Sequence, residues 1–511
     1  MAYLIGLDIG TTTIKAVRYD AAAGRVVGEA ARPTPTDHPL AGWSEHNPEL
    51  LWQTAAACLA EVAAGLPVAG LAISSFAEAG LPLDAAGQPL YPIIAWYDRR
   101  SAPQAAWWEA HLTVAELHAI TGQKVSPSFG VNKWLWLRQH KPDLAARMSK
   151  WLSTPDYLLW RLTGEQATDY TMASRTLLLD QHHLDWSARM LALAELERSQ
   201  LPRLLPGGTV MGQVTAAASA QTGLPAGTPC VLGGHDHLCA ALAAGAYRPG
   251  AVIDSSGTAQ AVLMVLPAFT SSAALAEHGF ACYAHVVPGY YVLKGGLKAA
   301  GGAVDWLARQ LSGPDTALTE EVYLALTTAA ERGVGRWAGP LWLPHLIGSG
   351  TPLGDDRSRA ALVGLQIEHE RGDVFRGLLE SLAFWLRHNL EVMHSLTGQK
   401  VGEIILLGGT SRLRLLAQLK ADVLNLPVLL PSEGNASAIG AALLAGLGVG
   451  VFASPAAAVA SRRDELTILQ PDSQRALWYE QLYRQAYLPL YETLRTVHHT
   501  LNSLDNQQNF R

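Results

Sequence analysis

Three short stretches combine carboxylates, hydroxyls and glycines in ways that suit phosphoryl chemistry. The first is Asp8-Ile9-Gly10-Thr11-Thr12 with Lys15. A carboxylate at the end of an apolar run, beside a glycine turn with two hydroxyls, offers a magnesium site next to donors for phosphate oxygens. The same letters also make an ordinary hairpin turn. Ser255-Ser256-Gly257-Thr258 is the counterpart in the second half, and two such turns facing each other would grip a polyphosphate from both sides. Nothing matches GxxxxGK[ST], which excludes a P-loop. The third stretch, Leu232-Gly-Gly-His-Asp-His237, puts Asp236 at the exposed end of an apolar strand. There it can act as a general base that takes a proton from an attacking hydroxyl, a role worth ~10²–10⁴ in rate. It can equally serve as N-cap of the Ala-rich run that follows. Successive strand residues point to opposite faces, so His235, Asp236 and His237 are poorly disposed to share one metal ion.

Two further loops mix acids, bases and aromatics. Glu78 follows the apolar Ile73-Ser-Ser-Phe-Ala segment, and Trp96, Asp98, Arg99 and Arg100 follow Ala95. Sugar hydroxyls donate and accept, so such mixtures beside an indole suit a carbohydrate. A surface ion pair with a packed Trp accounts for them as well.

The elements that must hold these residues can be read from periodicity. Tyr3–Ile9, Thr13–Tyr19 and Arg25–Ala31 read as a three-stranded meander with turns at Gly10–Thr12 and Asp20–Gly24. A helix starts near Asn47-Pro48-Glu49, with Asn47 as N-cap and Pro48 at the first helical position. A short strand over Ala69–Ser74 follows. In the second half Ala251–Asp254 is a strand, Ser255-Ser256-Gly257 turns, and Thr258–Val265 alternates away. Gly10-Thr11 and Gly257-Thr258 lie 257 − 10 = 247 positions apart in 511, so a duplicated α/β lobe is expected. Glu403–Leu407, Gly408-Gly409 and the helical run Leu413–Leu424 give the strand, glycine turn, helix order that sets backbone N–H groups beside phosphate or ribose. The final stretch reads as a helix ending in a polar tail from Asn502.

Composition narrows the class. Hydrophobic residues make up 49% and charged residues 16%, with a net charge of −6. That excludes intrinsic disorder, and the absence of a basic block argues against nucleic acid as a partner. The four cysteines (Cys58, Cys230, Cys239, Cys282) are too scattered for a zinc pattern and read as reduced core residues. No secretory leader is recognisable at Met1, and the uncharged Ala436–Ala460 stretch is broken by Gly446, Gly448, Gly450 and Pro455, so it reads as a buried helix and a turn. A soluble cytoplasmic protein without membrane contacts follows as the expectation.

IGLDIGTTTIKAVRYD, GWSEHNPELLW, IIAWYDRR, TPDYLLWRLTGEQATDY, GGHDHLCAALAAGAYRPG, SSGTAQ, LLGGTSRLRLLAQLKADVLNLPV and GNASAIGAALLAG, in this order, resemble the FGGY carbohydrate kinases. ALVGLQIEHERGDVFRGLLE is similar to that family's C-terminal signature, with Gly377 where Ala or Ser is usual. The resemblance implies an α/β fold of two ribonuclease H-like lobes of the actin and hexokinase type, with mixed sheets and an active-site cleft between them. Residues 1–246 would form the sugar-binding lobe that carries the base, and 247–511 the nucleotide-binding lobe. Asp236 resembles the catalytic base and Asp8 the magnesium-holding carboxylate. Thr11, Thr12 and Lys15 match the first phosphate loop, Gly257 and Thr258 the second, and Gly408-Gly409 the nucleotide turn. ATP and magnesium are the implied cofactors, a homodimer is compatible with the pattern, and the expected reaction is transfer of the γ-phosphoryl group to a sugar hydroxyl.

For the acceptor, the relevant positions are Glu78, Trp96, Asp98, Arg99, Ser128 and His237. Glycerol kinases carry Gln-Arg-Glu where this chain has Phe76-Ala77-Glu78, and Tyr in place of Ser128, so a substrate larger than glycerol is expected. Xylulose kinases usually show Gln-Met-His there and Gly-Asp-Asn at the base. His235-Asp236-His237 with a later SSGT is closer to kinases of deoxy-ketoses. A ketose of five or six carbons is the resulting expectation, with a polyol or an aldonate such as gluconate as the alternative acceptor, and a non-catalytic sensor on the same fold as the alternative class. Ser349-Gly350 replaces the usual Glu-Arg before Thr351-Pro352, and Leu413 stands where some members place Asn near adenine.

Overall fold

Apolar, β-branched Tyr3–Ile9 forms β1, antiparallel to β2 (Thr13–Asp20), which pairs antiparallel with β3 (Arg25–Pro33). The computed structural model describes residues 3–508, apart from 64, 314–315, 336–337, 432–433 and 464–465. Helix α1 (Pro48–Ala63) is capped as expected, the Asn47 Oδ1 accepting the N–H groups of Glu49 at 3.0 Å and Leu50 at 3.2 Å. Then β4 (Val68–Ser75) pairs parallel with β1, β5 (Val210–Gln213) forms an antiparallel edge, and β6 (Pro229–His235) lies parallel to β4. The order across the sheet is β5-β6-β4-β1-β2-β3. Helix α2 (Asp236–Ala243) begins at the residue after β6.

The second lobe repeats this plan. It contains β7 (Ala251–Ser256), β8 (Gln260–Leu266), β9 (Ala281–Ala284), β10 (Tyr291–Leu297), α3 (Gly301–Ser312), α4 (Arg371–Thr397), β11 (Glu403–Leu407), α5 (Arg414–Leu424), β12 (Val428–Pro431), α6 (Ala436–Gly448), β13 (Leu466–Leu469) and α7 (Leu488–Gln508). Its order is β9-β10-β8-β7-β11-β12-β13. Antiparallel pairs β7–β8 and β8–β10 match β1–β2 and β2–β3. Parallel β7–β11 and β11–β12 match β1–β4 and β4–β6, and β13 closes the edge antiparallel as β5 does. Strand β9 is the addition. Shared topology, strand by strand, is far stronger support for duplication than two Gly-Thr turns.

Between the lobes, α6 packs against α2 and against β1, β4 and β6 of the first sheet. Its residues Ala438–Gly446 are all buried, in one core with α2 and with strands of both sheets. Double-sided burial explains why this helix carries no charge: it has no face left for water. Small side chains let the backbones meet. A Cβ on Gly440 would lie 1.9 Å from the Cys239 carbonyl oxygen, and one on Gly6 would lie 1.7 Å from that of Ala438. Among the described residues no helix is long and apolar enough to cross a membrane, and all four cysteines are buried and unpaired.

Two boundaries differ from expectation. Ser255 and Ser256 are the last rungs of β7, Ser256 pairing with Gln260, so only Gly257–Ala259 turns. Helix α7 continues through Asn502 to Gln508. Tertiary contacts hold it: the Asp355 carboxylate accepts from the Tyr491 hydroxyl at 2.9 Å and contacts the His499 Nε2 at 2.7 Å, and Arg359 pairs with Asp505 at 2.5 Å.

Gly440→Ala places its methyl against backbone that side-chain rotation cannot clear. We expect it to lose about 1–3 kcal/mol of stability, the usual range for overpacking, despite alanine's better helix propensity. Chemical denaturation of the variant checks this, and an unchanged midpoint would refute the close crossing.

Candidate active site

Asp236 sits where β6 ends and α2 starts. Its Oδ1 accepts the His237 N–H at 2.6 Å and lies 3.2 Å from the His235 Nε2. The two imidazoles stack with centroids 5.2 Å apart. Burial pushes Asp236 up to about 7, Glu78 adding to the rise, while the His237 N–H, Lys294 and Arg175 oppose it. Burial draws His237 down to about 4 with help from Lys294, so both rings next to the carboxylate are neutral near pH 7. The helix N-terminus favours a negative charge here, but desolvation outweighs it.

Asp8 is the neighbouring carboxylate. Its Oδ1 accepts the Ser74 hydroxyl at 2.7 Å, and Lys15 stands directly across the β1–β2 ladder. Burial and the charge of Asp236 raise Asp8 to about 7. Two carboxylates that burial holds towards neutrality suit a hard divalent cation, which would favour their ionised forms. Among the described residues no group of three or more His, Cys, Asp or Glu side chains could hold a metal by itself. Magnesium commonly keeps waters and takes phosphate oxygens, with one or two protein carboxylates, and the Asp8 carboxylate suits such a role. The Trp96 indole donates to the Thr11 Oγ1 at 3.0 Å, which puts this exposed ring over the first glycine turn.

Glu78 stands at φ 66°, a left-handed conformation uncommon for Glu. Arg175 holds it there: the guanidinium donates to Glu78 Oε1 through both Nε and Nη2, and to Gln123 Oε1 at 2.8 Å. Arg175 also lies over the rings of Phe129 and Tyr283, at 4.9 and 5.3 Å. Tyr283 belongs to β9, so the second lobe reaches the surroundings of Asp236, its ring centroid 6.5 Å from that of His235. Ser128, beside Phe129, shares a hydrogen bond of 2.9 Å with Ser126.

In the second lobe the Gly257–Ala259 turn, the start of α3 and the Gly408–Thr410 turn are tied together. Thr258 O accepts the N–H groups of Ala300 and Gly302, each at 3.0 Å, and Ser256 O accepts the Thr410 hydroxyl at 3.1 Å. Gly408 has φ 88°, and a Cβ there would lie 2.5 Å from Ser256 O, so both conformation and space demand glycine. Gly257, Thr258, Gly408 and Gly409 are exposed. Beneath them Lys420 pairs with buried Asp254 at 2.5 Å, and Ser256 and Gln260 donate to the same carboxylate at 3.0 and 2.7 Å.

Some expected residues have other tasks. Asp98 is 1% exposed, and its two oxygens take the Ser44 N–H and the Arg100 backbone and guanidinium, which leaves none for a sugar. That guanidinium stacks 3.7 Å from the centre of Trp43, an organising core contact. Arg99 is exposed and lines a separate hollow with His38, Trp43 and Tyr97. Ala77 is 1% exposed, so it adds no room to the pocket, and any gain over a bulkier relative rests on Ser128. Leu413 packs against the second-lobe core. A cavity of about 720 Å³ between α4, α5 and the helix Ser473–Leu482 contains none of the expected site residues. Sequence reasoning missed Arg175, Tyr283, Lys294 and the Asp254–Lys420 pair. Asp254 and Lys294, each a charge inside an apolar strand, carried a local signal.

Two lobes of one topology, joined by crossing helices and lined by paired carboxylates and glycine turns, define an actin-like phosphotransferase. The N-terminal and C-terminal domains of the FGGY family of carbohydrate kinases match residues 3–243 and 253–449. The chain is 30% identical to xylulose kinase of Escherichia coli K12 over 96% of its length and 99% of that protein. It is also 30% identical to glycerol kinase of Citrifermentans bemidjiense, over 95% and 97%. The crystal structure of xylulose kinase from Rhodospirillum rubrum superposes with a TM-score of 0.88 at 31% identity, covering 97% of this chain and all (100%) of that one. This chain belongs to the FGGY family and is an ATP-dependent carbohydrate kinase.

The buried Glu78–Arg175 pair gives an asymmetric test. Arg175→Met strands a carboxylate and should cost about 3–5 kcal/mol, the usual penalty for breaking a buried pair. Glu78→Gln with Arg175→Met should recover most of that in denaturation curves. Sugar affinity should stay low in both, and its recovery in the double variant would separate Glu78 from acceptor binding.

Proposed function

We propose that this kinase phosphorylates a ketose of five or six carbons with Asp236 as general base. What supports the assignment is the placement of Asp236: a buried carboxylate, raised to about 7, at a helix start between Asp8 and the Glu78–Arg175 pair. The acceptor hydroxyl approaches Asp236, which takes its proton as the oxygen attacks the γ-phosphorus of ATP. The new oxygen–phosphorus bond forms as the bond to ADP breaks. Glu78, fixed by Arg175, accepts from another hydroxyl through its second oxygen, and Ser128 and Trp96 bound the acceptor. His237 contributes a neutral ring beside the base. Thr11, Thr12 and Lys15 on one side and Gly257 and Thr258 on the other bind the phosphates, and Gly408-Gly409 carries the nucleoside. Magnesium, held by Asp8, supplies charge neutralisation at the phosphates when bound. The lobes divide at residues 246 and 247, and the cytoplasm is the proposed site of action. Phosphoryl transfer depends chiefly on positioning and charge neutralisation, so enclosure between the lobes also protects ATP from water.

A panel of ketopentoses, deoxy-ketohexoses, polyols and aldonates identifies the acceptor. Asp236→Asn should lower kcat by ~10²–10⁴ on the best substrate, and a variant with wild-type turnover would refute the role. Because the base must be ionised, kcat/KM should fall on acidification with a midpoint near 7. Stability moves the other way. The folded value of Asp236 is above its unfolded value of 3.8, so the stabilisation held by the neutral acid is lost as pH rises towards about 7. Asp236→Asn should therefore melt higher than wild type at pH 8, by a margin that shrinks towards pH 4.

A further inference from the structure

Lys294 lies in β10, opposite Leu263 of β8 and Ala281 of β9. Two residues earlier, Val292 pairs with Tyr283. Residues opposite one another, or two apart on a strand, share a face, so Lys294 and Tyr283 are diagonal neighbours on one side of the sheet, ~7–8 Å apart along the backbone. Tyr283 is the residue that touches Arg175 and approaches His235, so this side faces the base. The next position on that face is Gly296, which has no side chain to screen Lys294 from the cleft.

Among the described residues, Lys294 is a cation near Asp236 and Glu78 that no hydrogen bond or ion pair engages. Arg175 is occupied by Glu78 and Gln123, and buried Lys133 donates to the Ser128 carbonyl. Among the described residues nothing hydrogen-bonds or ion-pairs with the Lys294 ammonium. Its field nevertheless acts on Asp236 and His237, and burial holds Lys294 itself down to about 8. An ammonium only donates, whereas sugar hydroxyls can be matched by donors or acceptors. A group that only accepts is its natural complement, either a carbonyl or a carboxylate oxygen. A carboxylate would bring a second unpaired negative charge beside the ionised form of Asp236, and a carbonyl oxygen fills the place without one.

We propose that Lys294 donates a hydrogen bond to the carbonyl oxygen of the open-chain ketose and so sets the preference for a ketose over the matching alditol. This rests on the sugar-kinase reading above and adds to it the group that reads the acceptor's oxidation level. Because Asp236 comes from the first lobe and Lys294 from the second, the ketose bridges the cleft.

The test is calorimetric binding of a ketopentose, its alditol and its aldonate in the presence of a non-hydrolysable ATP analogue, for wild type, Lys294→Met and Lys294→Gln. Wild type should bind the ketose ~10–100-fold tighter than the alditol, the span expected of a charge-assisted hydrogen bond. Lys294→Met should erase that difference by weakening the ketose alone, with ATP-analogue affinity unchanged. Lys294→Gln keeps an N–H donor and should retain part of it. Equal losses for ketose and alditol, an unchanged ketose affinity, or an aldonate as the tightest ligand lost only in Lys294→Met would each overturn the proposal. The readout needs no turnover: Lys294-dependent ketose binding without phosphate transfer would sink the catalytic assignment and leave this contact standing. Brisk ketose phosphorylation with no such dependence would do the reverse.

Discussion

The crossing of α2 and α6 is the constraint on which the other features depend. Contact at Gly440 and Cys239 draws two helices together at backbone distance, and the strands of both sheets pack around them. Because α2 begins with Asp236, the helix that seals the seam also presents the proposed base. On that proposal chemistry and lobe packing share one element, and a change in the seam would move the carboxylate. Rigid helices that touch without intervening side chains transmit displacement well, since packed interiors compress little.

Around that seam the cleft holds more charge than its burial favours. Burial raises the proton affinity of Asp8 and Asp236, the charge of Asp236 adding to the rise at Asp8, Glu78 is neutralised by Arg175, and Lys294 is kept below its usual value. Groups with perturbed titration in one cleft are typical of catalytic sites, where readiness for ligands is kept at the expense of stability. The second lobe handles its buried charge differently. Asp254 and Lys420 are fully paired, with Ser256 and Gln260 completing the carboxylate's contacts, so this cluster supports the Gly257 and Gly408 turns and has nothing spare for a ligand.

Much of the scaffold was legible from periodicity and punctuation. β1, β11 and the Asn47-capped helix are found where apolar runs, glycine turns and the cap residue indicate. The errors fell where a partner distant in sequence decides. Ser255 and Ser256 are turn-like residues, but Ala261 and Gln260 across the ladder hold them in a strand. The polar residues after Asn502 continue a helix because Asp355 and Arg359 dock its preceding turns and Asp505. Asp98, chosen as a sugar ligand for its loop position, belongs to a buried Arg100 cluster more than 50 residues wide in sequence.

By itself the sequence determined the two-lobed α/β class, the family, the two carboxylates and the three glycine turns, because each is written in contiguous residues whose spacing reports strand, turn and helix. Only the tertiary structure decided the company these residues keep. Arg175 reaches Glu78 from 97 positions away, and Tyr283 and Lys294 approach His235 and Asp236 from the opposite lobe. Burial, which moves the carboxylates towards neutrality and the lysine towards release of its proton, is likewise a property of three-dimensional surroundings and has no local code.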